Sequence, residues 1–200
     1  MSEQDKKQRH QARQQKLKET VDKRVAEATK EQGIFMVLTG NGKGKSTAGY
    51  GTVLRCVGHG QKAAVVQFIK GQWPCGERNV LETLGVDFHV MGTGFTWNTQ
   101  DKESDTAAAQ KAWQQAKLLL QDKSLDLVML DELTYMLTYG YIDSKEVAQA
   151  IANRPPMQHV IVTGRACHRD LTDIADTISE VRPTKHAFDS GIKARIGFDY

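Results

Sequence analysis

The chain has 200 residues, of which 40% are hydrophobic and 26% charged, and its net charge is +3. That length suits one domain with room for an extension, in the composition range of soluble globular proteins. The small positive balance does not call for nucleic acid, there is no apolar run of about 18 residues to span a membrane, and the start MSEQDKKQRHQARQQ has no secretory core; a cytoplasmic protein bound to neither is expected.

Residues 1–32 stand apart. They hold nine Lys/Arg, six Asp/Glu and six Gln, with Leu17, Val21 and Val25 recurring every four residues as a narrow helical stripe. This reads as a frayed start followed by an amphipathic helix too polar to pack firmly alone. It is expected to be either a solvated tail or a flap that closes over a ligand or a neighbouring subunit. Residues 33–200 carry the globular domain.

From Gly33 onward, apolar runs at 34–38, 63–68, 86–91, 126–130 and 159–163 alternate with helix-like segments. Nearly continuous apolar strands between helices predict an α/β fold with a mostly parallel central sheet covered on both faces. The helix at about 102–121 places Ala109, Trp113, Ala116 and Leu120 on one face. Asp143 with Glu146 fits a capping box opening a later helix. The expected order is tail, β-α-β, loop, β, loop, α-β-α-β-α, then a C-terminal stretch. Cys56, Cys75 and Cys167 are odd in number and form no CxxC pair, which argues against a disulfide framework or a zinc knuckle.

Directly behind the first strand comes Thr39-Gly40-Asn41-Gly42-Lys43-Gly44-Lys45-Ser46-Thr47. Its Gly-Lys-Ser end matches the Walker A loop, although Thr39 stands where the pattern has its first glycine. Glycines let backbone N–H groups point inward, and the following helix turns its positive end toward an anion. Lys45 would bridge phosphate oxygens and the Ser46 hydroxyl would bind Mg²⁺ (or Mn²⁺). Leu127-Val128-Met129-Leu130-Asp131-Glu132 has the Walker B pattern, so Asp131 or Glu132, or both, should hold the metal. Arg165, just after the 159–163 run, belongs at the same ligand edge of the sheet. The chain is therefore expected to bind ATP or a similar nucleotide.

Such motifs specify a ligand and leave the reaction open. Hydrolysis by a water placed at Asp131-Glu132 is one possibility, and a regulatory nucleotide-binding module is another. His168-Arg169-Asp170-Leu171 resembles a kinase catalytic loop, but Ala175 replaces the required Asn and the chain has no Asp-Phe-Gly. His168 reads better as the start of a helix or a loop residue. Two further loops are unusual. Gly92-Thr93-Gly94-Phe95-Thr96-Trp97-Asn98 carries two large aromatics, suited to covering something broad and apolar. Residues 70–79 add Trp73, Cys75 and Arg78.

Together "TGNGKGKST", "VVQFIKGQWPCGERN", "MGTGFTWNTQ", "VMLDELTYML", "VTGRACHRDL" and "KHAFDSGIKARIGFDY" closely resemble the P-loop corrinoid adenosyltransferases of the CobA/BtuR type, from about residue 10 to the C-terminus. The resemblance implies a RecA-like P-loop fold, usually a homodimer, which moves the 5′-deoxyadenosyl group of ATP onto Co(I) of a corrinoid and releases triphosphate. It places Gly40, Gly42, Lys43, Gly44, Lys45, Ser46, Thr47, Arg55 and Arg165 in the ATP site, Asn41 near the ribose, and Ser46 with Glu132 at the metal. Phe95 and Trp97 match the aromatics that fill the space under the corrinoid ring, and with Lys45 they are the implied catalytic residues. Residues 1–32 match a segment covering the corrinoid, and a reduced flavoprotein is the implied electron donor.

Overall fold

In this computed structural model, which describes residues 3–69, 74–92 and 101–199, the chain divides into two compact units, residues 1–32 and 33–200. Phe95, Trp97 and Trp73 lie outside the described residues. The first unit is a single helix, α1 (Glu3–Glu27), with no buried side chain. Leu17, Val21 and Val25 are exposed along it, and its internal ties are of the one-turn kind, Gln15 to Glu19 and Lys23 to Glu27.

In the second unit the predicted apolar runs become strands β1 (Phe35–Thr39), β2 (Ala63–Gln67), β3 (Asp87–Val90), β4 (Leu127–Asp131) and β5 (His159–Thr163). A sixth strand, β6 (Thr177–Glu180), joins them. The order is β3-β2-β4-β5-β1-β6 and every pairing is parallel. This is an α/β fold consistent with a P-loop nucleotide-binding domain. β6 was not expected from sequence, because Thr-Ile-Ser-Glu has no apolar run; as an edge strand it has one neighbour and stays largely exposed.

The helices are α2 (Lys45–Gly58), α3 (Gly76–Thr83), α4 (Lys102–Gln121), α5 (Leu133–Thr138), α6 (Ser144–Ala152) and α7 (Arg169–Thr172), followed by a 3₁₀ turn at Ala187–Ser190. Parallel crossovers need intervening chain, and the helices cover the two faces of the sheet. Val128 and Leu130 of β4 join one core with Trp113, Ala116 and Leu120 of α4 and Val147 and Ile151 of α6. Leu127 and Met129 join the other with Tyr50 and Val53 of α2 and Leu81 of α3. A strand sandwiched in this way must be apolar at successive positions, which is why the runs show no alternation.

Two segments differ from expectation. Residues 76–83, read partly as a polar loop, form α3, anchored by a single buried residue, Leu81. Between β4 and β5 two helices replace the one expected, separated at Gly140, whose φ is 69°. The Asp143 side chain accepts the Glu146 N–H at 2.9 Å, as a helix cap should. The return arm of the box is missing, because the Glu146 carboxylate accepts instead from Trp113 Nε1 and Lys117 Nζ, at 2.9 and 2.8 Å. Those donors, Lys117 foremost, hold Glu146 below the ordinary carboxylate range.

Trp113 is completely buried at the junction of α4 and α6. Trp113→Ala should therefore cost about 3–5 kcal/mol of stability, read as a lower midpoint in urea unfolding; a loss below about 1 kcal/mol, the size of a surface effect, would contradict the packing described.

Candidate active site

Because all six strands are parallel, the turns after β1, β4, β5 and β6 open on one edge of the sheet. β5 lies between β1 and β4. The glycine loop after β1 and the acids after β4 are thus two strand spacings apart, about 10 Å. That gap is wide enough for a phosphate chain and a cation.

The loop is shaped by its neighbours as well as by its own glycines. The chain after β6 crosses against it, and the Gly42 N–H donates to Val181 O at 2.7 Å. A Cβ on Gly40 would meet that same carbonyl at 2.5 Å, and the φ of Gly40 is 101°. Thr39, at the departure from the Walker pattern, uses its side chain instead, since its hydroxyl accepts the Cys167 N–H at 3.4 Å and ties the loop to the turn after β5. Gly44 has φ 116° and precedes α2 without offering a side-chain cap. A glycine cap brings no side chain to the start of α2, and a helix start of this kind favours an anion. Lys45 is 8% exposed and its Nζ donates to Gly42 O at 2.8 Å, which keeps the ammonium against the loop.

A cleft of about 640 Å³ opens on this loop. Lys43, Gly44, Lys45, Ser46 and Thr47 form one side of it, Glu132 reaches it from the end of β4, and Pro74, Cys75, Gly76 and Glu77 contribute the chain leading into α3. The C-terminal tail completes it with Ala194, Gly197, Phe198 and Asp199. Lys43 Nζ pairs with Asp199 Oδ1 at 2.7 Å and lies 5.9 Å from the centre of the Phe198 ring. That lysine holds the Asp199 carboxyl below its usual range, helped by the Arg195 N–H. Sequence reasoning did not find this wall; the adjacent aromatic and acid Phe198-Asp199 near the end of the tail were the available signal.

The other expected residues fall in different places. Gly40, Asn41 and Gly42 belong to the loop, with Asn41 exposed. Asp131 is fully buried, and its carboxylate accepts from Thr163 Oγ1 at 2.7 Å, Tyr50 Oη at 3.1 Å and Gln67 Nε2 at 3.4 Å. Both oxygens are thereby turned inward, and Glu132 alone of the two acids lines the cleft. Arg165 is exposed on the turn after β5, near enough to Tyr135 to influence its phenol, as Glu132 does. Arg55 is not brought to the cleft. It sits ten residues beyond Lys45 on α2, about 15 Å along the helix axis, and borders a separate cavity of about 280 Å³ with His59 and His159. His168 caps α7 by accepting the Asp170 N–H at 3.2 Å, a structural role.

The oxygen donors lining the cleft include the Ser46 hydroxyl and the Glu132 carboxylate, hard ligands of the kind Mg²⁺ takes together with phosphate oxygens. Among the described residues no group of three or more His, Cys, Asp or Glu could hold an ion unaided. The hydroxyl and carboxylate fit a cation that arrives with the oxygens of a polyphosphate. The described lining residues include no histidine to activate Ser46 or Cys75 as a nucleophile. Burial pushes the Cys167 thiol up to about 11, so it stays protonated at neutral pH.

Comparison with known proteins gives the same direction. The family model "ATP:corrinoid adenosyltransferase BtuR/CobO/CobP" matches residues 31–200, and "Cob(I)alamin adenosyltransferase N terminal" matches residues 1–25. A corrinoid adenosyltransferase of Escherichia coli K12 is 63% identical over 192 residues, covering 96% of this chain and 98% of its own length. The Salmonella typhimurium CobA protein is 60% identical over the same coverage, and a Pseudomonas aeruginosa relative is 46% identical over 98% of both chains. With a family model over residues 31–200 and relatives alike over nearly their whole length, the chain belongs to the ATP:corrinoid adenosyltransferase family.

Proposed function

We propose that this enzyme transfers the 5′-deoxyadenosyl group of ATP to the Co(I) centre of a corrinoid, releasing inorganic triphosphate, in adenosylcobalamin synthesis and corrinoid salvage. The observation that carries this reading is the cleft itself, which is rich in groups suited to a polyphosphate and whose described lining residues include no histidine to activate a protein nucleophile. The attacking group is then the substrate's own reduced cobalt. A bond forms between cobalt and C5′ as the bond from C5′ to the triphosphate oxygen breaks, and the cobalt electron pair ends in the new bond.

In this reading the chain acts on the leaving group and on alignment. The loop N–H groups, the positive end of α2, Lys43 and Lys45 offset charge building on the departing triphosphate. ATP lies with its γ-phosphate where other P-loop enzymes hold the α-phosphate, and Asn41 sits near the ribose. Ser46 and Glu132 hold Mg²⁺ or Mn²⁺, which when bound neutralises phosphate charge. The corrinoid, carbon and leaving oxygen must lie in line, so positioning is the remaining task. Phe95 and Trp97 fill the space below the ring in place of a lower axial base, which eases reduction to Co(I), and α1 closes over the corrinoid as a flap. A homodimer, a reduced flavoprotein donor and a cytoplasmic location complete the proposal.

Incubation with ATP, Mg²⁺ and chemically reduced corrinoid should yield triphosphate and a light-sensitive cobalt–carbon product in equal amounts; orthophosphate released without corrinoid would favour an ATPase. Lys45→Ala should lower turnover by about 10²–10³-fold, the loss typical of one transition-state charge contact, and near-parent activity would remove Lys45 from the site. Phe95→Ala and Trp97→Ala should chiefly impair corrinoids that carry a lower base. Weakened ATP binding together with a parent-like spectrum of the four-coordinate Co(II) species would show that this loop serves the nucleotide instead.

A further inference from the structure

Among the described residues only Glu132 and Ala166 have positive φ without being glycine, at 60° and 48°. Glu132 directly follows β4, and Ala166 lies three residues beyond the end of β5. Left-handed backbone at such a residue is strained and persists only where its surroundings impose it. At Glu132 the surroundings are identifiable. Its N–H donates to Thr163 Oγ1 at 2.9 Å, and that same hydroxyl donates its one proton to Asp131 Oδ1 at 2.7 Å.

The direction of this chain of hydrogen bonds is forced. Asp131 and Thr163 are fully buried. The carboxylate accepts only, so the Thr163 proton is committed to it and a lone pair is left for the Glu132 N–H. On the other oxygen, Tyr50 and Gln67 donate. Burial, then the neighbouring Asp131 charge, push the Tyr50 phenol far above its ordinary value and keep it a donor. The residue after Thr163 seals the arrangement, because Gly164 packs so closely on the Thr134 side chain that any Cβ there would collide with it. The ends of β4 and β5 are thereby locked one against the other.

We infer that Thr163, backed by Asp131, is the positioning residue for Glu132: its hydroxyl fixes the left-handed turn that presents the Glu132 carboxylate to the cleft opposite Ser46. The inference rests on the proposal that Glu132 and Ser46 hold the cation. It gives the two acids different tasks, Glu132 that of a ligand and Asp131 that of a buried acceptor that never meets the cation. Mg²⁺ tolerates little departure from octahedral geometry, so a carboxylate released from this turn loses much of its value as a ligand.

The test is the ATP dissociation constant of the full chain, measured by equilibrium dialysis with Mg²⁺ and again with EDTA; the ratio isolates what the cation adds. Thr163→Val should cut that ratio by about tenfold or more, as loss of groups that orient metal ligands does, with little change in EDTA. Thr163→Ser keeps the hydroxyl and should restore the parent ratio. Tyr50→Phe damages the same buried network without touching the link to Glu132, and should leave the ratio near that of the parent. If Thr163→Val does not fold, as judged by thermal unfolding, Thr163→Cys, of similar size and a poorer acceptor, takes its place. A parent-like ratio in the variant lacking the hydroxyl, beside a lowered ratio in Glu132→Gln, overturns the inference alone. Equal losses in Tyr50→Phe and Thr163→Val overturn it as well, because they indicate general damage to the network. A parent-like ratio in Glu132→Gln overturns the metal-site proposal itself.

Discussion

A carboxylate sealed inside a sheet is tolerated only when hydrogen bonds replace the water it has lost. Asp131 meets that demand with donors from three other elements, Tyr50 of α2, Gln67 of β2 and Thr163 of β5. The same demand makes it a structural node. α2 carries the phosphate loop at its start, β5 separates that loop from the acids, and β2 borders β4 on the other side. One buried carboxylate therefore ties the helix behind the glycine loop to the strand that delivers Glu132. Removing a single donor would leave part of the charge uncompensated, so the arrangement is intolerant of piecemeal change.

The cleft is assembled from four distant stretches: residues 43–47, 74–77, 132 and 194–199. Its charges are paired by position. Lys43 and Lys45 come from the loop, while Glu132, Glu77 and Asp199 come from the other walls. The Lys43–Asp199 pair is partly solvent-exposed, and such pairs contribute little to stability. Its consequence is geometric, since it lays the last residues of the chain against the phosphate loop.

The parallel sheet was legible because each buried strand is a local run of Val, Ile, Leu and Met, and five of the six strands appear within a residue or so of their expected limits. Helix α4 was legible from the spacing of Ala109, Trp113, Ala116 and Leu120, all of which are buried. β6 and α3 were not, because an edge strand and a helix with one buried residue need few apolar side chains and so leave no periodic trace. The phosphate loop was legible from its glycines and lysines. Arg55 was assigned to the nucleotide with the family's other residues, yet within this chain it sits ten positions along α2 from Lys45 and borders another cavity.

What the sequence by itself determined is the kind of domain and the kind of ligand. Strand runs and the order strand, glycine loop, helix are local patterns, and local patterns are written in contiguous residues. The resemblance singled out Glu132 of two adjacent acids, but the physical reason it and not Asp131 lines the cleft came only with the tertiary structure. Asp131 and Glu132 are neighbours in the chain and chemically alike, and they are told apart by the distant Thr163 hydroxyl, which binds the side chain of one and the N–H of the other. It likewise decided that the C-terminal tail forms a wall of the site, because the contact between Lys43 and Asp199 joins residues with no relation in sequence.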